Sequence, residues 1–137
     1  MDVKPERTGW RDLALSLRHR DWGVACPAAD PDFILVEYDW GRPVALIEYK
    51  NEHAAMPDVN HTSYTAIRTL ANNSKIPFYL CRYASDFTWF EVTALNSIGV
   101  KMLRDEKRLL SERQYVKFLY ILRQQKLPDE IEAKLNA

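Results

Sequence analysis

Residues 31–50 read PDFILVEYDWGRPVALIEYK, and this stretch decides how the rest of the chain is read. Ile34, Leu35, Val36 and Tyr38 make one apolar strand; Val44, Ala45, Leu46, Ile47 and Tyr49 make a second. Asp39-Trp40-Gly41-Arg42 lies between them, with Gly41 free to take the positive φ that hairpin turns require. Three charges break the apolar pattern: Asp32 where the first strand begins, and Glu48 and Lys50 where the second ends. Side chains alternate along a strand, so Glu48 and Lys50 share one face and Tyr49 points the other way. In an antiparallel hairpin the start of the first strand lies beside the end of the second. Asp32 therefore approaches Glu48 and Lys50. Two carboxylates and an ammonium converging at a sheet end can hold a divalent metal beside a cationic group.

A plainer reading competes with this one. A Glu and a Lys two apart on a strand are often a solvated ion pair, contributing less than about 1 kcal/mol. An Asp after a Pro is an ordinary loop residue. Against that, a sheet buried on both faces reads as near-continuous Val, Ile and Leu. Charges placed inside such a run need partners, because burying them unpaired is costly.

Pro31-Asp32 followed by Glu48-Tyr49-Lys50 resembles the PD-(D/E)XK motif of the restriction-endonuclease-like nuclease superfamily. The resemblance covers roughly residues 8–95. It implies an α/β fold with an α-β-β-β-α-β core, a central mixed sheet and flanking helices. It also implies that Asp32 and Glu48 are metal ligands, that the backbone carbonyl of Tyr49 is a further ligand, and that Lys50 is the catalytic lysine. The implied cofactor is Mg²⁺, with Mn²⁺ as a substitute, and the implied substrate is DNA. The expected activity is that of an endonuclease in phage or mobile-element repair, recombination or restriction. The alternative is a catalytically silent nucleic-acid-binding or assembly module on the same fold; an intact Asp-Glu-Lys set argues against it.

A chain of 137 residues fits one domain, expected over 1–137 with a C-terminal helical extension from about residue 96. With 47% apolar residues it can bury a core, which excludes general disorder. The apolar runs are too short to span a bilayer, and the N-terminus has no apolar signal region. Cys26 and Cys81 are too few for a disulfide framework and match no zinc spacing, so a reducing cytoplasm is expected. The 19 basic and 19 acidic residues cancel but are unevenly placed. Residues 21–62 hold eight acids against Arg42 and Lys50, which suits cation binding. Residues 101–126 hold eight bases, and Lys107, Arg108 and Arg113 among them are expected to contact DNA phosphates from a helix–helix junction.

The remaining elements follow from periodicity and caps. A first helix is expected over about 9–19, with Trp10, Leu13, Ala14 and Leu17 as its apolar stripe. Asp12, or Glu6, is a candidate for an acid delivered from that helix to the metal site. Trp22 to Cys26 reads as a short strand. A second helix over about 58–73 starts at Asp58 as cap and stops at Asn72-Asn73. His53 and Tyr64 are accessory candidates beside the site. Ile76–Tyr83 and Thr88–Leu95 read as strands joined by a Ser85-Asp86 turn. Residues 96–108 read as a helix weakened by Gly99. Ser111-x-x-Gln114 is a capping box opening an amphipathic helix with Tyr115, Phe118, Leu119 and Leu122 on one face. That face packs on the sheet or forms a homodimer interface. Pro128 opens a last helix over Asp129–Leu135.

Overall fold

The computed structural model of the chain describes residues 13–23 and 31–137. The chain divides into two compact units, Met1–Asp30 and Pro31–Ala137, so the core expected from about residue 8 straddles a boundary. In the first unit, helix α1 spans Leu13–Asp21 and exposes Ala14, Leu15 and Leu17; Ala14 and Leu17 were expected in a buried stripe. Trp22 donates its N–H to the Arg18 carbonyl at 3.1 Å, and Gly23 has φ +91°, so this pair closes α1 rather than opening a strand. Val24–Cys26, Trp10, Asp12 and Glu6 lie outside the described residues.

The second unit is an α/β structure built on an open five-stranded mixed sheet in the order β1-β2-β3-β4-β5. Strands β1 (Phe33–Glu37) and β2 (Arg42–Asn51) form the antiparallel hairpin read from the sequence. Gly41 in its turn has φ +60°. Between the pairs Leu35↔Ala45 and Val36↔Pro43 the register shifts, leaving Val44 as the extra residue of a bulge. Helix α2 (Thr62–Ser74) then carries the chain over one face to β3 (Phe78–Tyr83), parallel to β2. Strands β4 (Phe90–Ala94) and β5 (Lys107–Leu110) continue antiparallel, with α3 (Ser97–Leu103) between them. Residues 107–110, the first two of them expected at the end of a helix over 96–108, therefore extend the sheet. Thr93↔Lys107 through Phe90↔Leu110 pair along β4, and backbone partners in that ladder outweigh a helical propensity already weakened at Gly99.

Two helices clamp the sheet. Leu46 and Phe78 pack under Tyr64, Ile67 and Ala71 of α2. On the other face Ala45, Ile47, Tyr79, Cys81, Phe90 and Val92 pack against Tyr115, Phe118 and Leu122 of α4 (Glu112–Leu122). The apolar face of α4 is thus spent within the chain. The Ser111–Gln114 capping box forms in both directions. The last helix, α5, is shorter than expected, Asp129–Glu132. Helix α2 is capped by His61, whose Nδ1 accepts from the Ser63 N–H at 3.1 Å; Asp58 instead accepts from the Asn60 N–H in the preceding turn. The helix runs past Asn73 to a left-handed Lys75 with φ +58°.

Two buried polar groups hold the ends of the sheet. Glu37, 1% exposed, accepts from Gln125 Nε2 at 3.2 Å and pairs with Arg123 at 3.5 Å, tying the hairpin to the end of α4. Asn96 caps α3: its Oδ1 accepts from the Gly99 and Phe78 N–H groups at 2.8 and 3.1 Å. Its Nδ2 donates to the Ile76 carbonyl and Asn72 Oδ1 at 3.0 and 3.1 Å, so one side chain joins α2, β3 and α3. Gly99 is there for space. A Cβ at that position would meet Asn96 Oδ1 at 3.0 Å and the Phe78 carbonyl at 3.1 Å. Gly99→Ala is therefore expected to destabilise the fold by about 1–3 kcal/mol, despite the higher helix propensity of Ala. Guanidinium unfolding followed by circular dichroism measures it; a variant as stable as the parent would show that Asn96 can move aside freely.

Candidate functional site

The hairpin register sets the site. Phe33 pairs with Ile47, so the next residues outward, Asp32 and Glu48, lie opposite each other. Each carboxylate then binds the backbone beside the other. Glu48 Oε1 accepts from the Asp32 N–H at 3.0 Å, and Asp32 Oδ2 accepts from the Tyr49 N–H at 3.1 Å. The β2–β3 pairing adds a third feature. The Leu46 N–H bonds to the Pro77 carbonyl on the β3 side, so alternate residues Ile47 and Tyr49 turn their backbone groups toward β1. β1 has ended there, and the Tyr49 carbonyl faces the Asp32 side of the site.

Glu48 is only 7% exposed. Burial pushes its carboxyl up to about 7, and the Asp32 carboxylate beside it adds to the rise. The Asp32 N–H bond and the Lys50 ammonium oppose that rise without cancelling it. Lys50 is half-buried on the Glu48 face of β2 and within electrostatic reach of Glu48. The three motif residues therefore converge at one sheet end.

Tyr64 completes the surroundings from α2. It is 8% exposed, and its hydroxyl is buried without a hydrogen-bond partner among the described residues. Burial pushes that hydroxyl up to about 12, with added contributions from the Glu48 and Asp32 charges. A buried orphan hydroxyl facing two carboxylates is a costly arrangement unless something else enters the site.

The residues fit a hard divalent cation. Among the described residues no group of three or more His, Cys, Asp or Glu side chains gathers. Mg²⁺ does not need one: it takes one or two carboxylates and completes its shell with water and substrate phosphate oxygens. Two carboxylates, the Tyr49 carbonyl on their side of the strand and a Tyr64 hydroxyl without a partner among the described residues suit that habit.

The other sequence candidates are dispersed. His53 is exposed and its Nε2 lies 3.1 Å from Glu52 Oε1, outside the carboxylate pair. Lys107, on β5 rather than at a helix junction, pairs with Glu91 at 3.4 Å. The rows Glu48↔Leu80, Leu80↔Thr93 and Thr93↔Lys107 place it on the Glu48 face of the sheet. Arg108 turns to the opposite face, with Nη1 at 3.5 Å from the Leu103 carbonyl. Arg113 reaches the Leu135 carbonyl at 3.5 Å. Lys107, Arg108 and Arg113 therefore form no single patch, because adjacent strand residues face opposite ways. Sequence reading missed Arg82, which pairs in register with Lys50 and donates to the Glu52 carbonyl at 2.8 Å. Its signal was present only as one base inside an apolar strand.

Comparison of the chain with family models, curated proteins and solved structures yields no match. Among the described residues no helix is long and apolar enough to cross a membrane.

The raised Glu48 has a thermodynamic consequence. Without metal, the folded chain holds this proton up to about pH 7, whereas the unfolded chain releases it near 4.5. Between those values the folded state binds more protons, so stability falls as pH rises across the window. Denaturant midpoints in EDTA are expected to drop from pH 4.5 to pH 7.5. Glu48→Gln should remove that drop, and Mg²⁺ should reverse it at the upper pH. A wild-type midpoint that rises through the window would contradict the burial of Glu48.

Proposed function

We propose that the protein is a Mg²⁺-dependent nuclease that hydrolyses DNA phosphodiester bonds, an endonuclease on a restriction-endonuclease-like core. The observation that carries this reading is the braced Asp32–Glu48 pair, with Lys50 on the same face and the orphan Tyr64 hydroxyl beside it. Two carboxylates this close resist ionising together, and a cation is what makes both charged forms favourable.

Asp32, Glu48 and the Tyr49 carbonyl would hold the metal, which when bound supplies charge neutralisation at the phosphate and a more acidic water. The protein side chains do the rest. The reciprocal backbone bonds fix both carboxylates, so they need little reorganisation when substrate arrives. Lys50 presents a donor and a positive charge on the same face, placed to orient a water or offset charge on a phosphate oxygen. Tyr64 offers a second donor from the opposite wall. Lys107 and Arg82 add positive charge to that face, and Lys107 lies three strand spacings from β2, about 14 Å.

Four outcomes test this. Wild-type protein with Mg²⁺ should nick supercoiled plasmid, and Lys50→Ala should lower the rate about 10²- to 10⁴-fold. Calorimetry should find Mg²⁺ binding kept in Lys50→Ala and lost in Asp32→Ala; lost binding in both would make Lys50 structural. Tyr64→Phe should fold at least as stably as the parent, since it removes an unsatisfied group, yet cleave more slowly. Finally, Lys107→Ala should lower the slope of log affinity against log salt by about one unit. Arg108→Ala should leave the slope unchanged, since Arg108 faces away; equal losses in both would place DNA across the edge of β5 instead.

A further inference from the structure

Beside the carboxylates, on the other face of the same sheet end, lies a cavity of about 320 Å³ lined by Phe33, Tyr49, Tyr83, Phe87 and Phe90. That is the lower end of the size range for small-ligand pockets. Every lining residue is aromatic. Two of them stand open to solvent, Phe33 at 43% and Phe87 at 48% exposure. These two exposed rings meet at one opening beside the half-buried Tyr49 and Tyr83.

The rings are ordered. Phe87 lies nearly parallel to Tyr83 and Phe90, with interplanar angles of 16° and 13°. Phe90 continues the series onto Tyr115 at 11°. Phe33 and Tyr83 instead meet Tyr49 edge-on, closing one wall. Phe87 holds its place at φ +59°, a strained backbone for a bulky residue. The turn that imposes it is fastened by the Phe87 N–H to the Ala84 carbonyl at 2.8 Å and by Thr88 donating twice to Asp86. An aromatic wall of this kind, with Phe87 and Phe33 exposed at its rim, offers ring faces to a flat, uncharged ring.

Its position identifies that ring. Phe33 follows Asp32 in β1, and Tyr49 stands between Glu48 and Lys50 in β2. Alternation sends the charged side chains to one face and these two rings to the other. A strand of nucleic acid crossing this end of the sheet would present its phosphate to one face and its base to the other. We infer that the aromatic cavity receives one unpaired nucleobase of the DNA strand whose phosphate lies at Asp32 and Glu48. The inference rests on the nuclease reading and deepens it. The substrate has at least one unstacked nucleotide beside the cut, as in a single strand, flap or branch. The lining is wholly aromatic, so stacking, more than hydrogen bonds to the base edge, accepts the base and its identity is selected weakly.

The test uses full-length Lys50→Ala protein with Mg²⁺, so that the strand is not consumed. Two fluorescein-labelled ten-nucleotide probes carry the same charge: all-thymine, and an all-abasic tetrahydrofuran backbone. The thymine strand should bind about 5- to 100-fold tighter. Adding Phe87→Ala should bring the thymine affinity toward the abasic value and leave the abasic affinity unchanged. Phe33→Ala, at the exposed rim, should do the same and covers the case in which the Phe87 variant does not fold. A 2-aminopurine placed in the thymine strand should be quenched on binding and recover with either substitution. Equal affinity for both probes, or equal weakening of both by Phe87→Ala and Phe33→Ala, would overturn the pocket. Failure of the nuclease reading looks different: wild-type protein leaves plasmid and single strand uncut whatever the probe ratio.

Discussion

Asp32 and Glu48 each hold the backbone next to the other, and much at this end of the sheet depends on that exchange. The two hydrogen bonds extend the β1–β2 ladder one step past its last regular pair. They fix the hairpin register where a one-residue slip would carry every side chain to the wrong face. The same exchange places two carboxylates side by side in a partly desolvated corner. Burial and mutual repulsion push Glu48 up to about 7, so the brace that orders the sheet end also creates an electrostatic deficit there. A bound cation would relieve that deficit, which links local order to ligand binding.

The sheet separates two kinds of work by alternation alone. On the α2 face, β2 offers Leu46 to the helix and then Glu48 and Lys50 beyond it. On the α4 face, Ala45 and Ile47 enter the main core and Tyr49 follows as a ring at its margin. Tyr49 ends in a hydrogen bond with the Tyr115 hydroxyl, which anchors that wall to α4. Burial pushes the Tyr49 hydroxyl up to about 12, so the pair stays neutral in the physiological range. The polar site and the apolar cavity therefore lie on opposite faces of one sheet end.

The parts of the fold that were legible in the sequence are those governed by local chemistry. The hairpin around Gly41, the capping box at Ser111 and the stripe Tyr115-Phe118-Leu122 each follow from turn type, cap or period. The parts that were not legible depend on distant partners. Lys107–Leu110 becomes a strand because β4 offers a free edge, and nothing within those four residues says so. His61 rather than Asp58 caps α2 because the Asp58 side chain is taken by the turn at Asn60. Convergence of Asp32, Glu48 and Lys50 could be foreseen because a hairpin fixes which ends meet. The aromatic cavity could not, since Phe33, Tyr49, Tyr83, Phe87 and Phe90 come from four strands and the turn between β3 and β4. Each looks like an ordinary core ring in its own context.

Tyr64 joins these strands of reasoning. Its ring is ordinary packing: it lies nearly parallel to Phe78 in the cluster beneath α2, at 28° and 6.1 Å. A phenylalanine would fill that role and would leave no unmet polar atom. The hydroxyl instead sits buried, without a partner among the described residues, under the influence of two carboxylates that raise its pKa still further. Packing does not explain that atom, and neither does solubility. An un-ionised phenol facing a pair of carboxylates is, however, a ready donor to a water or phosphate oxygen held between them. Stability forgone at that atom is a cost that a ligand accepting its hydrogen bond would offset.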